Sequence, residues 1–443
     1  MIRIPPGLLD RHNLPSPRYT SYPTVMHWGA APAESDWLAG MATALQAPAA
    51  HCGIYVHIPF CQSLCTYCGC NMRLARNHAL AAPYVATVLR EFTLYRERLG
   101  DVSLTLGELH LGGGSPTYLP AATLDALLDG ILQHCRAAAA ADFAVEVDPR
   151  NTTREQLQVL RRHGFNRLSI GVQDFDARVL EIVNRVQTED EVRRVIDDAR
   201  DLGFTSISFD LIFGLPLQTP DSLNATFDIV DRLHPERISF LPYAHVPWIK
   251  PSQRRYTEAD LPDSAARQQL FELGRQRLGG SDFVEIGMDQ YARRDDALAR
   301  ALAGGTLSRN FMGFSASATQ ALIGLGVSAI GDNARAYAQN DKNLQQYETR
   351  VLAGQLPVQR GHALTAVDLR IRALLWDLLT TSRAAPTAAD RNASWWPRTE
   401  AALRKLQQDG LIQLQDTSIV VTELGRTLLR LTGMAFDQYL SQT

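Results

Sequence analysis

The sequence predicts an α/β protein built on parallel strands, and three observations carry that prediction. Short β-branched or aromatic-rich runs recur at Gly53–Ile58, Glu108–Gly112, Phe143–Val147, Arg167–Gly171, Ser206–Phe213 and Ile238–Pro242. Segments of helical period separate them, at Tyr84–Leu99, Ala122–Ala138, Arg154–His163, Glu189–Leu202 and Ser222–Leu233. Every strand run ends in polar or glycine-rich residues, where parallel α/β folds carry their chemistry. Such alternation requires crossover helices between parallel strands. Six units are too few for an eight-fold barrel, so an open sheet and an incomplete barrel both fit.

Taken in order, residues 1–50 read as an N-terminal arm, and the apolar runs of its first residues are too short for a signal peptide. The strand tips then read His57-Ile58-Pro59, Gly112 to Pro116, Glu146-Val147-Asp148, Gly171 to Asp174, Asp210 to Pro216 and Tyr243-Ala244-His245. Parallel pairing brings these tips to one mouth. Ala137–Ala141 reads as alanine-rich helix. Residues 246–345 are mixed, with a second glycine-rich segment at Leu325–Gly331, and are grouped with the strand–helix region as residues 51–345. Residues 346–443 form a mostly helical C-terminal part, with helices at Leu364–Leu379 and Glu400–Gln408, two short strands around Asp416, and a helix from Glu423. That order suggests a winged-helix-like module. After Gly361 it carries nine Lys and Arg against eight acids, no basic face for nucleic acid.

Composition excludes several classes. Hydrophobic residues make up 45% and charged residues 21% of the 443, a globular balance, and the net charge of −3 offers no attraction to nucleic acid or anionic membrane. No uninterrupted apolar stretch reaches the roughly 18 residues needed to span a bilayer. A cytoplasmic monomer is the expectation. Four of the six cysteines crowd into Cys61–Cys70, which in a reducing compartment reads as metal ligation and not as a disulfide framework.

Cys61, Cys65 and Cys68 stand in C-x3-C-x2-C spacing just after the first strand. Zinc sites close a tetrahedron with two separated ligand pairs, and no second pair is nearby. One tight loop of three thiolates can instead wrap a [4Fe–4S] cube and leave its fourth iron open to a ligand. Cys70 lies two residues beyond the third ligand. Its bland reading is a buried thiol; the sharper one is a proton or hydrogen-atom donor near the substrate. The tri-glycine Gly112-Gly113-Gly114 lacks Cβ atoms and lets backbone approach a ligand closely.

The spacing, with Tyr67 before the last cysteine, resembles the radical S-adenosylmethionine superfamily. Further runs are similar to the bacterial oxygen-independent coproporphyrinogen III oxidases: Pro17 to Thr24, Tyr55 to Cys61, Cys68-Gly69-Cys70-Asn71, Gly112 to Leu119, Glu146 to Arg150, Gly171 to Phe175, Asn184-Arg185, Asp210 to Pro216 and Gly326 to Ile330. The resemblance spans nearly the whole chain. It implies an incomplete (βα)6 parallel, TIM-like barrel, an arm near the mouth, and two S-adenosylmethionine molecules in the site. By position, Tyr55, Gly113, Glu146 and Ile330 would contact the cluster-bound molecule. Tyr67, Gly114, Ser115, Gln173, Arg185, Asp210 and Ala244 would contact the second. It also implies a flavodoxin- or ferredoxin-type reductant, an electron acceptor, and conversion of two propionates of coproporphyrinogen III to vinyl groups. Family members share Cys70. Gln290 stands where a histidine is usual, and Phe314-Ser315-Ala316-Ser317 replaces a more polar run. Both bear on the substrate, so a haem-utilisation enzyme or haem chaperone is the alternative. Arg18, Arg254 and Arg309 are candidates for the propionates by charge and placement alone, and the Arg18–Thr24 arm is a candidate lid.

Overall fold

The computed structural model describes Pro5, Leu8 and residues 17–440, so the remainder of the arm lies outside the described residues. Six strands, β1 (Cys52–Ile58), β2 (Thr105–Gly113), β3 (Arg136–Val147), β4 (Arg167–Gln173), β5 (Ser206–Phe213) and β6 (Arg237–Pro242), pair in parallel in chain order. The register sets Tyr55 beside His110, Ala144 beside Arg167, and Asp210 beside Ser239. Crossover helices α1 (Ala81–Leu99), α2 (Ala121–Leu132), α3 (Arg154–Arg162), α4 (Glu189–Asp201) and α5 (Pro220–Leu233) connect them. Thr153, Thr188 and Thr219 each open a helix with a capping box, satisfying backbone donors that a helix start leaves bare.

The strand period divides the sheet's two faces. Leu109, Val145, Leu168, Ile170 and Phe209 are completely buried in the layer beneath the helices. Their sequence neighbours His110, Glu146, Ser169 and Asp210 line a cavity on the other face. Side chains two apart share a face, so one polar residue at every second position suffices to make a polar interior.

Two readings need correction. Ala137–Ala141 is strand, the first part of β3, because α2 stops at Leu132 and Arg136–Asp142 pairs with Thr105–Glu108 of β2. Helix propensity is a weak prior that ladder hydrogen bonds override, and alanine has little side chain to pack in either state. The mixed stretch also hides a seventh parallel strand, Ala321–Leu325, beside β1. Antiparallel strands extend the sheet on both sides: Ile330–Asp332, Ala336–Asn340, Val358–Ala363 and Gly29–Ala30 at one edge, Gln290–Arg293 and Phe283–Gly287 at the other. Thirteen strands join among the described residues, and the two outermost do not pair with each other. The barrel is incomplete.

The C-terminal part has helices at Ala366–Thr381 and Trp396–Gln408 and a three-stranded ribbon of Arg383–Ala384, Ile412–Leu414 and Ile419–Val421. Its core of Leu374, Leu378, Trp396 and Leu403 also takes in Tyr19 and Tyr22 of the arm. Tyr19 Oη donates to Asp437 Oδ2 at 3.1 Å, and Arg309 Nε donates to the Tyr19 carbonyl at 2.9 Å. The arm is thus a fixed wall, packed between the tail and the Ser308–Ser315 hairpin. No helix among the described residues is long and apolar enough to cross a membrane.

Candidate active site

The mouth is built around the loop that leaves β1. Cys61, Cys65 and Cys68 carry free thiols and line a pocket of about 170 Å³ together with Gly113, Gly114, Glu146 and Asp148. Arg185 Nη1 and Arg150 Nη2 donate to Cys65 Sγ at 3.4 and 3.6 Å. Asp148 holds both guanidinium groups, at 2.5 Å from Arg150 and 3.5 Å from Arg185. The three sulfurs do not gather within 4.8 Å of one another, whereas tetrahedral ligation of a single zinc would bring them to roughly 3.8 Å. Three soft, separated thiols on an electropositive loop fit a multi-iron cluster better than one ion.

The tri-glycine is a cradle by necessity. Gly113 has φ +119°, and a Cβ there would stand 2.8 Å from the His57 ring; a Cβ on Gly114 would stand 2.7 Å from the Pro59 carbonyl oxygen. Only glycine lets β2 press this closely on the chain leaving β1. Glu146 accepts from Gly113 N at 3.2 Å and pairs with His110 Nε2 at 3.1 Å. Burial opposes its ionisation, but His110 and the Gly113 N–H together hold its carboxyl below the ordinary value. Asp210 goes the other way: burial, then repulsion from Glu146, pushes it up to about 6, against hydrogen bonds from Ser239 and Ser169. Two carboxyl groups at one mouth therefore titrate apart.

Behind this pocket opens a cavity of about 720 Å³, and Tyr67, Cys68, Cys70, Glu146, Gln173 and Asp210 line both spaces. Cys70 is exposed rather than buried, its N–H donating to Cys68 Sγ at 3.4 Å and its carbonyl accepting from Lys250 Nζ at 2.9 Å. Gln173 sits at φ +70° beside a register slip at the tip of β4, a strained placement of the kind that gathers at functional sites. Arg185 donates to the Gly171 carbonyl, which fixes the guanidinium at the same tip. Ala244 lines the large cavity.

Three expected residues line neither space. Tyr55 stacks on His110 and meets His57 Nδ1 through its hydroxyl at 3.1 Å. Ser115 is buried under the loop, its N–H donating to the Phe60 carbonyl. Ile330 packs with Trp28 and Tyr337. Arg254 is also outside, its Nε donating to the Pro247 carbonyl, whereas Arg18, Arg309, Gln290 and Phe314 all line the large cavity.

Other contributors escaped the sequence reading. His110 lies mid-strand, with nothing local to mark it. Buried Gln253 donates to the carbonyls of Tyr67 and Ala244, tying the cysteine loop to the exit of β6. Arg430 reaches the cavity from the C-terminal part, and no local motif announces it.

Residues 55–230 match the radical SAM superfamily. Over 99% of its length the chain is 37% identical to the oxygen-independent coproporphyrinogen III oxidase of Pseudomonas aeruginosa, covering 96% of that protein. It is 38% identical to the enzyme of the same name from Escherichia coli, over 98% of this chain and 95% of that one. The solved structure of the coproporphyrinogen III oxidase HemN from Escherichia coli, described as a radical SAM enzyme, superposes with a TM-score of 0.89 at 38% identity, covering 95% of this chain and 97% of that chain. With the full length matched in sequence and in fold, the chain belongs to the oxygen-independent coproporphyrinogen III oxidase family.

Proposed function

We propose that this chain decarboxylates two propionates of coproporphyrinogen III oxidatively to vinyl groups, giving protoporphyrinogen IX in haem biosynthesis. The observation that carries the reading is the three-cysteine loop opening directly onto a cavity of about 720 Å³, inside the range that encloses a large organic ligand. A [4Fe–4S] cluster on Cys61, Cys65 and Cys68, with S-adenosylmethionine and an external one-electron reductant, supplies a 5′-deoxyadenosyl radical when bound.

The chain's own residues hold, orient and enclose. Glu146, kept ionised by His110 and the Gly113 N–H, accepts hydrogen bonds from an ammonium or ribose diol. Asp210 and Gln173, which line both the small pocket and the large cavity, support a second S-adenosylmethionine there. Arg185 holds the cysteine loop through Cys65 and Asp148 and is available to a methionine carboxylate. Tyr55, Ser115 and Ile330 act from behind, through His57, the loop backbone and the Trp28 cluster. Cys70, which lines both spaces, is the candidate proton or hydrogen-atom donor near the substrate. The arm, with Arg18 and Thr20 on the cavity wall, helps to enclose the site, so that a primary carbon radical meets the C–H bonds of the substrate and not those of buffer or reductant.

The test is an anaerobic assay of reconstituted protein with S-adenosylmethionine, a reductant, an electron acceptor for the last electron of each decarboxylation, and coproporphyrinogen III. Vinyl-bearing product and CO2 are expected. Cleavage of S-adenosylmethionine with the propionates left intact would overturn the reading.

A further inference from the structure

Three guanidinium groups, Arg18, Arg309 and Arg430, line the large cavity, and two of them meet one carboxylate. Asp289 pairs with Arg430, and its Oδ2 lies 3.7 Å from Arg18 Nη2. Arg309 is already committed: Nε and Nη2 donate to the carbonyls of Tyr19 and Arg18, and the group lies 4.4 Å over the Phe314 ring. Asp210, whose charge also acts on Arg18, is a second acid in reach, so three guanidinium groups face two carboxylates and an excess of one positive charge remains. Burial first, and then the charge of Arg18, pulls both Arg309 and Arg430 down to about 9. These cations repel one another and have too few anions nearby.

Two further observations show a place left for a ligand. Arg430 Nε is buried without a hydrogen-bond partner among the described residues, and so is Gln290 Oε1. Buried polar atoms are rarely orphaned, and each one calls for an explanation. Asp289 also sits on a costly turn: Met288 and Asp289 are both left-handed, at φ +49° and +69°. The Asp289 carbonyl accepts from Phe240 N at 2.8 Å, pinning the turn to β6. Non-glycine residues held in this region persist where surrounding structure imposes them, commonly at ligand clamps.

We propose that Arg18 and Arg430, set by Asp289 on this turn, form a carboxylate-binding site that receives a propionate of the tetrapyrrole. The inference rests on the substrate reading above and deepens it by assigning the anchoring side chains. Arg430 Nε is the unsatisfied donor of a guanidinium otherwise held by Asp289, a group that a carboxylate oxygen would pair with. Arg18 is 47% exposed, so it can turn inward as the acid arrives.

The probes are coproporphyrin III, an air-stable aromatic analogue bearing the four propionates, and its tetramethyl ester, which keeps the ring and loses the charges. Binding to the cluster-loaded protein is followed by fluorescence quenching. Arg430→Gln should weaken coproporphyrin III at least tenfold and leave the ester within about twofold. Arg18→Gln, at a half-exposed position, repeats the test without disturbing the buried turn and should weaken it at least threefold. Equal affinity of both variants and the unaltered chain for coproporphyrin III overturns the carboxylate site alone. Loss of ester and acid in equal measure shows a collapsed cavity and overturns it too. If the unaltered protein binds neither probe, the substrate reading itself falls.

Discussion

Cys61, Cys65 and Cys68 stand out in the sequence because the candidate cluster loop spans only eight consecutive residues. The Glu146–Asp210 pair was legible as two polar tips, but the opposite displacement of their acidities was not, since it depends on His110 and on parallel register. Asp210 ionises about two units above the ordinary carboxylate value. Protonation near pH 6 removes the acceptor, so binding of S-adenosylmethionine should weaken as pH falls from about 7 to 5. Asp210→Asn should flatten that limb and lower kcat/KM ~10- to 100-fold at neutral pH, the worth of one charge-assisted hydrogen bond; a pH-independent wild type would refute it. Cys65→Ala should abolish the cluster's visible absorption and the turnover together. Cys70→Ser should keep the absorption and lose most vinyl product while 5′-deoxyadenosine still forms. Full turnover by Cys70→Ser would remove hydrogen donation from that thiol.

At the scale of elements, β1 to β6 and their helices followed from period, because each strand alternates faces and α3, α4 and α5 each begin at a threonine cap. What did not follow was Ala321–Leu325 or Gly29–Ala30, whose pairing partners lie hundreds of residues away, or the short antiparallel strands between them and at the other edge, which carry no clear period of their own. Glu91 on α1 illustrates such long-range support. Wholly buried, it accepts from Gly326 N at 2.8 Å, from Tyr347 Oη at 2.7 Å and from Asn340 Nδ2 at 2.7 Å, fixing the turn after the seventh parallel strand. Burial pushes its carboxyl up to about 7. A raised carboxylate is fully tolerated below its unfolded value near 4.5 and costs stability as pH rises through the folded value. Between pH 4.5 and 7 this single group should remove about 3 kcal/mol. Thermal melts of Glu91→Gln across pH 5 to 8 should lose that slope; a slope equal to the parent's would place its origin elsewhere.

For the whole molecule, the cavity is a property of the assembly and not of the barrel. The two outermost strands do not meet, and the arm with the tail stands as wall beside them. Tyr19→Phe, which removes a buried hydrogen bond to Asp437, should cost about 1–3 kcal/mol and expose the arm to protease before the rest of the chain. Deleting residues 1–30 should abolish vinyl formation while leaving cluster absorption in place; undiminished turnover would show that the arm encloses nothing.

The bond between Tyr19 and Asp437 spans 418 positions. During synthesis the cysteine loop is complete after fewer than a hundred residues, yet its chamber stays open on one side until Asp437 has been made. Containment of a radical therefore waits on contact between the two ends of the described chain.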